Sequence, residues 1–443
     1  MQIDQNIKPS DLAKSIDSLF TIAEQKVVDL DRAWDTSRGT PVFTVQGKYT
    51  SKGWTEWTQG FQYGCAILTF DATDDRGLLE MGRKRTRELM APHLTHIGVH
   101  DHGFNNLSTY GNLRRLMREG RIEQNEWELS FYELAIKASG AVQAARWWPT
   151  FDGLGYVYSF NGPHSLFVDT MRTIRILSLS HQLGHALMGE NDAKINLLDR
   201  MITHGLATAK YICFDGTSDH TYDVRGRTAH EALFNRNDGR FRARSTQQGY
   251  SPFSTWTRGL AWAMLGYAEE LEFLRAIRHA DAKVIEIFEK TARDVCDHYI
   301  DGCATTDGIV YWDDGAPGLA RMEGWRDRAA DPFNEYEPVD SSASAIAAQG
   351  LLRLGRYLNE PRYTQAGLTV ARTLLGDPYL SADPKHQGLL LHSVYHRPNN
   401  WDYIPPGRKI PCGESSMWGD YHLLELGVYL KRLITGRPYL TFF

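Results

Sequence analysis

The feature of this 443-residue chain that most restricts its fold is a repeated alternation of two kinds of helical pattern. One kind begins with small, aromatic or glycine residues and is apolar on nearly every side. The other is amphipathic and carries Lys, Arg and Glu along one face. A helix that is apolar all round must be buried, whereas an amphipathic helix covers a core with one face. The alternation therefore predicts two concentric helical layers.

The helical patterns cover most of the chain. After a first amphipathic helix that Ser10 can cap, they occupy 57–73, 126–146, 197–212, 254–274, 281–300, 341–358, 362–376 and 416–433. Short strands are predicted near 153–168 and 385–396. Because no Pro/Ser-rich linker or low-complexity segment divides the sequence, we expect one all-α domain over 1–443, with the loops before the inner helices gathered at one end.

Composition restricts the partners and the compartment. The formal charge of -5 gives no general attraction to nucleic acid or to an anionic membrane. The five cysteines are odd in number and form no CxxC pair, so neither a disulfide framework nor a zinc ribbon is predicted. No run approaches the roughly 20 apolar residues that cross a bilayer. We expect a soluble cytoplasmic protein, either a monomer or a weak homo-oligomer.

One carboxylate stands out in the stretch 161–185, "NGPHSLFVDTMRTIRILSLSHQLGH". Apolar residues recur there at helical spacing, at Phe167, Met171, Ile174 and Leu177. Asp169 lies just inside this run, where an unpaired ionised group is costly unless chemistry requires it. The structural alternative is that Asp169 caps the helix or pairs with Arg172 at i+3.

A second carboxylate, Asp101, lies between two histidines in "HIGVHDHGF". Two acids that converge from distant elements can divide acid and base roles, because their proximity raises the pKa of one of them. Asp101 as a simple loop cap is the alternative. A pair with Asp169 would form the chemical centre of a site.

A third motif, "QQGYSPFSTWTRGLAW" at 247–262, combines an arginine with indoles. Ser254 or Thr255 can cap the helix, which places Arg258 and Trp262 one turn apart on the same face. With Trp256 at the opening turn, this group suits the carboxylate of a flat sugar ring. The alternative is an arginine paired with a neighbouring acid and tryptophans in the core.

Several ordered motifs together resemble a known family. They are "WTQGF" (57–61), "HDHGF" (100–104), "FVDTM" (167–171), "TSDH" (217–220), "QGYSPFSTWTRGLAW" (248–262), "DSSASAIAAQGLL" (340–352) and "WGDYHLLE" (418–425). In this order the chain resembles the unsaturated glucuronyl hydrolases, glycoside hydrolase family 88. The resemblance implies an (α/α)6 barrel that removes a terminal 4,5-unsaturated uronic acid from oligosaccharides left by polysaccharide lyases.

The resemblance also implies roles for individual residues. Asp169 resembles the general acid and base and Asp101 its companion carboxylate. The implied sugar-binding residues are Trp57, His220, Gln248, Trp256, Arg258 and Trp262, with Trp147 or Trp148 as a further aromatic wall. The family chemistry is hydration, in which a proton goes to C4 and water adds at C5. We predict that burial and repulsion from Asp101 keep Asp169 protonated, against the opposing effects of the helix N-terminus and Arg172.

The sequence departs from the family pattern in two places. Gln59 stands in "WTQGF" where an acid is common, and the segment between His220 and Gln248 is long and rich in arginine. Its six arginines are residues 225, 227, 236, 240, 242 and 244. The segment is either a solvated charged loop or a rim that meets a polyanionic, for example sulfated, aglycone.

Other readings remain open. The rivals are an unsaturated rhamnogalacturonyl hydrolase, a sugar epimerase that uses His164, His181 or His220, and a non-catalytic carbohydrate-binding barrel. His pairs at 96/100 and 181/185 have i, i+4 spacing but no HExxH setting, so no metal site is predicted. No Gly-rich loop follows a strand, and no cofactor is predicted.

Overall fold

The computed structural model describes residues 1–53 and 56–443 and is mostly helical. The helices in chain order are α1 (Ala13–Ala33), α2 (Gln59–Thr73), α3 (Arg76–Leu89), α4 (Ala91–Thr95), α5 (His102–Asn106), α6 (Asn112–Arg118), α7 (Glu126–Ala145), α8 (Thr170–Thr173), α9 (Arg175–Gln182), α10 (Leu197–Tyr211), α11 (Thr257–Ala276), α12 (Ala282–His298), α13 (Ser341–Leu358), α14 (Pro361–Leu374) and α15 (Met417–Thr435).

The strands are short. They are β1 (Thr40–Val45), β2 (Lys48–Lys52), β3 (Trp147–Pro149), β4 (Gly155–Val157), β5 (Ser165–Phe167), β6 (Leu187–Met188), β7 (Lys194–Ile195), β8 (Glu231–Phe234) and β9 (Phe241–Ser245). Each pairing is antiparallel, and the three-stranded sheet has the order β5-β8-β9.

Burial separates two classes of helix. In α2 every residue from Gln59 to Ala72 is buried, and in α13 every residue from Ser341 to Gly355. By contrast, the amphipathic α3 buries only Leu78, Leu79, Gly82 and Thr86. The sequence explains this difference, because α2 carries no charged residue before Asp71 whereas α3 carries Arg, Lys and Glu on its outer face.

The largely buried segments contact one another in a cyclic order. The α5 helix continues into α6 through a π-helical turn, and α8 is followed directly by α9. Contacts run from α2 to α5, α5 to α8, α8 to α11, α11 to α13, α13 to α15, and from α15 back to α2. The amphipathic helices α1, α3, α7, α10, α12 and α14 each contact members of this series. The helices are therefore arranged as an inner series covered by an outer one.

The predicted helix across 167–177 differs in the structure. Residues 165–167 form β5, which pairs with β8, and two short helices follow with a break at Ile174. Pairing with a strand some sixty residues away keeps the backbone extended up to Phe167, and local periodicity does not contain that information. The strands predicted near 153–168 are present as β4 and β5. Near 385–396 the described residues form only isolated bridges, such as Leu391 to Ser415.

The N-terminal ends of the inner helices meet at one end of the molecule. Arg258 in the first turn of α11 pairs with Asp340 before α13 at 2.6 Å. Trp57, just before α2, stacks on Trp418 in the first turn of α15 with ring centroids 4.8 Å apart. The loops that the sequence analysis assigned to a functional end therefore converge. In the part of the chain that the structure describes, no helix has the length and apolar character needed to cross a membrane.

Candidate active site

A cavity of about 290 Å³ lies where these helix ends meet. The residues singled out in the sequence that line it are Trp57, Asp101, Asp169, Gln248, Trp256, Arg258 and Trp262. Its other lining residues include Glu56, His100, Phe160, His230, Tyr395, His396 and Trp401. A concave, aromatic-walled space with a few convergent polar groups is typical of a small-ligand site. We call it the central cavity.

Asp169 is held at the edge of the central cavity by the end of β5. The Val168 N–H donates to the carbonyl of His230 at 3.0 Å, which fixes the chain just before α8. Asp169 occupies the N-cap position of α8, but its side chain caps no backbone N–H. The side chain is 13% exposed, and its Oδ1 has no hydrogen-bond partner among the described residues. Asp169 therefore has an unused acceptor in the cavity wall.

His100 lies between the two acids. Its Nε2 is 3.4 Å from an oxygen of Asp101 and 3.4 Å from an oxygen of Asp169. Burial alone would lower the pKa of His100, but the charges of Asp101 and Asp169 raise it to about 10. An imidazolium therefore supplies, between two carboxylates, the positive charge that a metal ion could otherwise bring. Asp101 and Asp169 meet as predicted, with a cation between them that the sequence analysis did not include.

This cation reverses the expected protonation of Asp169. Burial raises the pKa of Asp169, but the charge of His100 and its hydrogen bond to Asp169 outweigh burial and lower the pKa below its usual value. The expectation that burial would prevail was wrong for the unliganded site, because it left out His100. The structural alternative also fails, since Arg172 pairs with Glu269 and Glu425.

His230 is a residue of the central cavity that the sequence analysis missed. Its Nδ1 accepts the backbone N–H groups of Gln247 and Gln248 at 2.9 and 3.2 Å, so its Nε2 carries the proton when the ring is neutral. The ring stacks on Phe167 at 4.9 Å. Burial lowers the pKa of His230 to about 4, which keeps it neutral near pH 7. Only the non-local pairing of β8 with β5 brings it here.

Arg258 lines the central cavity with its guanidinium already engaged. Nη1 donates to Asp340 and to the Val394 carbonyl, and Nη2 donates to Gln248 and to the Tyr395 carbonyl, all at 2.5–3.0 Å. These four bonds use every N–H on its two terminal nitrogens. The group suggested as a carboxylate receptor is therefore, in this structure, a rigid support for Gln248 and the 394–395 backbone.

Aromatic rings form the remaining wall. Trp57 stacks on Trp418, and Trp262 packs against Phe104 with centroids 4.9 Å apart. The Arg258 guanidinium lies 4.8 Å from the Trp256 ring. Such flat faces beside fixed polar groups suit a sugar ring.

Comparison with known proteins adds evidence on ancestry. No protein-family model matches the chain. The unsaturated glucuronyl hydrolase of Bacillus sp. (strain GL1) is 27% identical over 405 residues, which cover 88% of this chain and 90% of that protein. The unsaturated chondroitin disaccharide hydrolase of Streptococcus pyogenes serotype M1 is 26% identical over 406 residues, covering 86% of this chain and 83% of its own. The chain is therefore similar to unsaturated glucuronyl and unsaturated chondroitin disaccharide hydrolases over most of its length.

A solved structure supports a shared fold. An unsaturated glucuronyl hydrolase variant from Streptococcus agalactiae, in complex with the unsaturated disaccharide dGlcA-GalNAc6S, matches with a TM-score of 0.64 at 20% identity. The match covers 97% of this chain and 93% of that one. At 20% sequence identity, this match shows a shared fold and no more.

Three residues that the family resemblance suggested do not line the central cavity. His220 is exposed and stacks on Tyr222 at 5.0 Å, beside a separate surface cavity. Trp147 lies in β3, and the Arg200 guanidinium is 4.0 Å from its ring. Trp148, on the same strand, is also absent from the cavity wall. Their roles as binding residues stay predictions that this geometry does not favour.

The two departures from the unsaturated glucuronyl hydrolase pattern have structural settings. Gln59 is buried and hydrogen-bonds Thr40, Gln62 and Tyr63, so an amide network replaces the expected acid. None of the six arginines between 225 and 244 lines the central cavity. Three of them pair with aspartates: Arg225 with Asp294 and Asp297, Arg227 with Asp314, and Arg240 with Asp238.

Proposed function

We propose that this protein is a glycoside hydrolase that removes a non-reducing-end 4,5-unsaturated uronic acid from lyase-generated oligosaccharides by hydrating the vinyl ether. The observation that carries the proposal is the convergence of Asp101 and Asp169 on His100 inside an indole-lined cavity. The chain's relatives include enzymes named for unsaturated glucuronyl and chondroitin disaccharide substrates.

Asp169 is the proton donor and acceptor in this proposal. In the free enzyme His100 holds Asp169 as a carboxylate. A bound uronate brings a further negative charge next to Asp169 and displaces water from the cavity. Both effects raise the pKa of the Asp169 carboxyl group. Asp169 then gives a proton to C4 and takes one from the water whose oxygen adds to C5. The C5 hemiketal opens, and the resulting C1 hemiacetal expels the aglycone as an alcohol.

Asp101 and His100 set the charge around this transfer. Two carboxylates and one imidazolium carry a net charge of about -1, so protonation of Asp169 leaves a neutral group of three. Asp101 has a carboxylate oxygen within 4.8 Å of one of Asp169, and it keeps His100 charged and oriented. His100 acts as a positioning residue that controls the proton affinity of Asp169.

The sugar is held by stacking and by a fixed amide. Arg258 binds the Oε1 of Gln248, which leaves the Nε2 group of that amide to donate to the substrate. Trp57, Trp256 and Trp262 offer apolar ring faces to the planar unsaturated sugar. Substrate binding therefore depends on Arg258 through Gln248.

The architecture behind the site is an (α/α)6 barrel formed by one domain over 1–443. The cyclic contacts of the inner helices and the six amphipathic helices outside them support this proposal. The chain acts without a cofactor, in the cytoplasm, as a monomer or a weak homo-oligomer. A family member bound to a sulfated disaccharide supports sulfated oligosaccharides among its substrates.

The deciding experiment follows the conjugated alkene absorbance during incubation with a panel of lyase-generated oligosaccharides from glycosaminoglycans, gellan, xanthan and ulvan. We expect the absorbance to disappear with at least one glucuronyl substrate. Turnover only of unsaturated rhamnogalacturonyl substrates would reassign the aglycone, since that enzyme shares the chemistry. Binding or epimerisation with the alkene band intact would refute the proposal.

A further inference from the structure

A second group of side chains with ligand chemistry lies outside the central cavity. It consists of His298, Cys303 and Asp314, which we call the His-Cys-Asp cluster. His298 ends α12, and Cys303 ends the π-helical turn Tyr299–Cys303 that follows. Asp314 lies in the loop whose residue 313 bridges to Trp256. The cluster therefore sits directly behind the wall that carries Trp256 and Arg258.

The three ligand atoms have a spacing suited to a small divalent ion. His298 Nε2 lies 3.2 Å from Asp314 Oδ2, and Cys303 Sγ lies 3.9 Å from the same oxygen. All three atoms are within 4.8 Å of one another. Zinc bonds of about 2.0–2.3 Å in a tetrahedron place ligand atoms roughly 3.3–3.6 Å apart. Small side-chain adjustments would let one ion contact all three.

The cluster is shielded from solvent. His298 is 6% exposed, Cys303 is 1% exposed and the Asp314 side chain is 7% exposed. Gly302 permits this packing, since a Cβ there would lie 2.9 Å from His298 Nδ1. A buried thiol, imidazole and carboxylate together match the mixed sulfur, nitrogen and oxygen ligand sets of zinc sites.

Charge in the surroundings is compatible with binding. Besides His298, the Arg227 guanidinium faces this carboxylate, with Nη2 3.8 Å from Asp314 Oδ2. An ion with two positive charges would stabilise the Cys303 thiolate and release its proton to solvent.

We propose that His298 Nε2, Cys303 Sγ and Asp314 Oδ2 bind a zinc-class divalent cation, with water in the fourth position on the side of Thr255. The ion has a structural role and does not depend on the proposed hydrolase activity. Asp314 Oδ1 accepts the Thr255 N–H at 2.6 Å, and the Thr255 hydroxyl is 3.0 Å from His298 Nε2. Metal binding therefore fixes the residue that precedes Trp256.

The test uses the full chain, stripped with a chelator and titrated with Co²⁺. A saturable thiolate-to-cobalt charge-transfer band at about one equivalent is expected, because only a cysteine ligand produces it. Zn²⁺ should abolish the band by competition and raise the melting temperature of the stripped protein. Cys303→Ala should lose both effects.

Cys296→Ala is the matched control, because Cys296 is a fully buried thiol in α12 outside the cluster. This variant should keep the band and the zinc-dependent melting shift. A wild-type protein that shows neither the band nor the shift would overturn the proposal. The His-Cys-Asp cluster would then be a hydrogen-bonded group without a metal ion. A band retained in Cys303→Ala would also overturn it. Since the wild-type titration decides alone, poor folding of a variant does not obscure the result.

Discussion

Asp169 and Arg172 are three residues apart, both are charged and both are removed from solvent, yet their surroundings are opposite. Arg172 is fully buried and completely paired: Nε bonds Glu269 at 3.0 Å, and Nη2 bonds Glu425 at 2.6 Å and Glu269 at 3.2 Å. Asp169 has one ion-pair partner, at 3.4 Å, and an unbonded Oδ1. Buried charges that support a fold are fully compensated. The Asp169 carboxylate is only partly compensated and lies at a cavity, so its free oxygen is available to a substrate.

The largest expected effect separates the two residues by activity. Asp169→Asn should lower kcat by about 10²–10⁴-fold, because it removes the only proposed proton donor to C4. Binding of the unsaturated disaccharide, measured by calorimetry, should stay close to wild type. Near-normal turnover in this variant would remove Asp169 from the mechanism.

The converse change should act on stability. Arg172→Met leaves Glu425 and one side of Glu269 uncompensated and should cost about 3–5 kcal/mol in the free energy of unfolding, measured with urea. Arg372→Met removes a surface pair with Asp4 and is the matched control; its free energy of unfolding should stay close to wild type. Equal losses in both variants would contradict the contrast.

A pH series probes the cation between the acids. The pKa of His100 is raised to about 10, so the stability it contributes is fully present below pH 6.5 and is lost as pH rises through 10. The lowered pKa of Asp169 has the opposite effect on stability. The stability that Asp169 contributes is lost as the pH falls below the usual pKa of an aspartate.

Relative to His100→Gln, the wild-type free energy of unfolding should therefore fall by about 1.4 kcal/mol per pH unit between pH 7 and 9. His220→Gln, at an exposed position, should follow the wild-type curve. A wild-type curve parallel to that of His100→Gln would show that His100 is not charged between the acids.

The smallest expected effect concerns the arginine-rich segment. Arg242 is exposed on β9 and forms no ion pair with the residues that the structure describes. If the segment meets a polyanionic aglycone, added salt should raise KM for long sulfated substrates. Arg242→Gln should make this rise in KM smaller, by an amount equivalent to about 0.2–1 kcal/mol of binding free energy. A KM independent of salt would favour a solvated loop.

How much of the fold the sequence could predict depends on how far apart along the chain the interacting residues lie. Helices with strong local periodicity, such as α7 and α13, lie within a few residues of their predicted bounds. The highly charged α3 was missed because its apolar positions are few, and the hairpin of β1 and β2 was also missed. Local patterns indicate helices well and short isolated strands poorly.

The candidate site divides in the same way. Asp101, Asp169 and the 248–262 motif were found because acids or arginine among apolar residues are locally unusual. The charge of His100 and the presence of His230 depend on side chains brought together from distant segments, through contacts such as the β5–β8 pairing. The sequence therefore indicated the residue that we propose as the proton donor, but not its protonation state in the free enzyme.

The most direct test of the central claim is a single-turnover measurement of alkene loss in H₂O and D₂O, with enzyme in excess over the unsaturated disaccharide. Single-turnover conditions remove product release from the rate. If Asp169 transfers a proton to C4 in the slow chemical step, the rate should be clearly lower in D₂O. Equal rates in the two solvents would contradict the account.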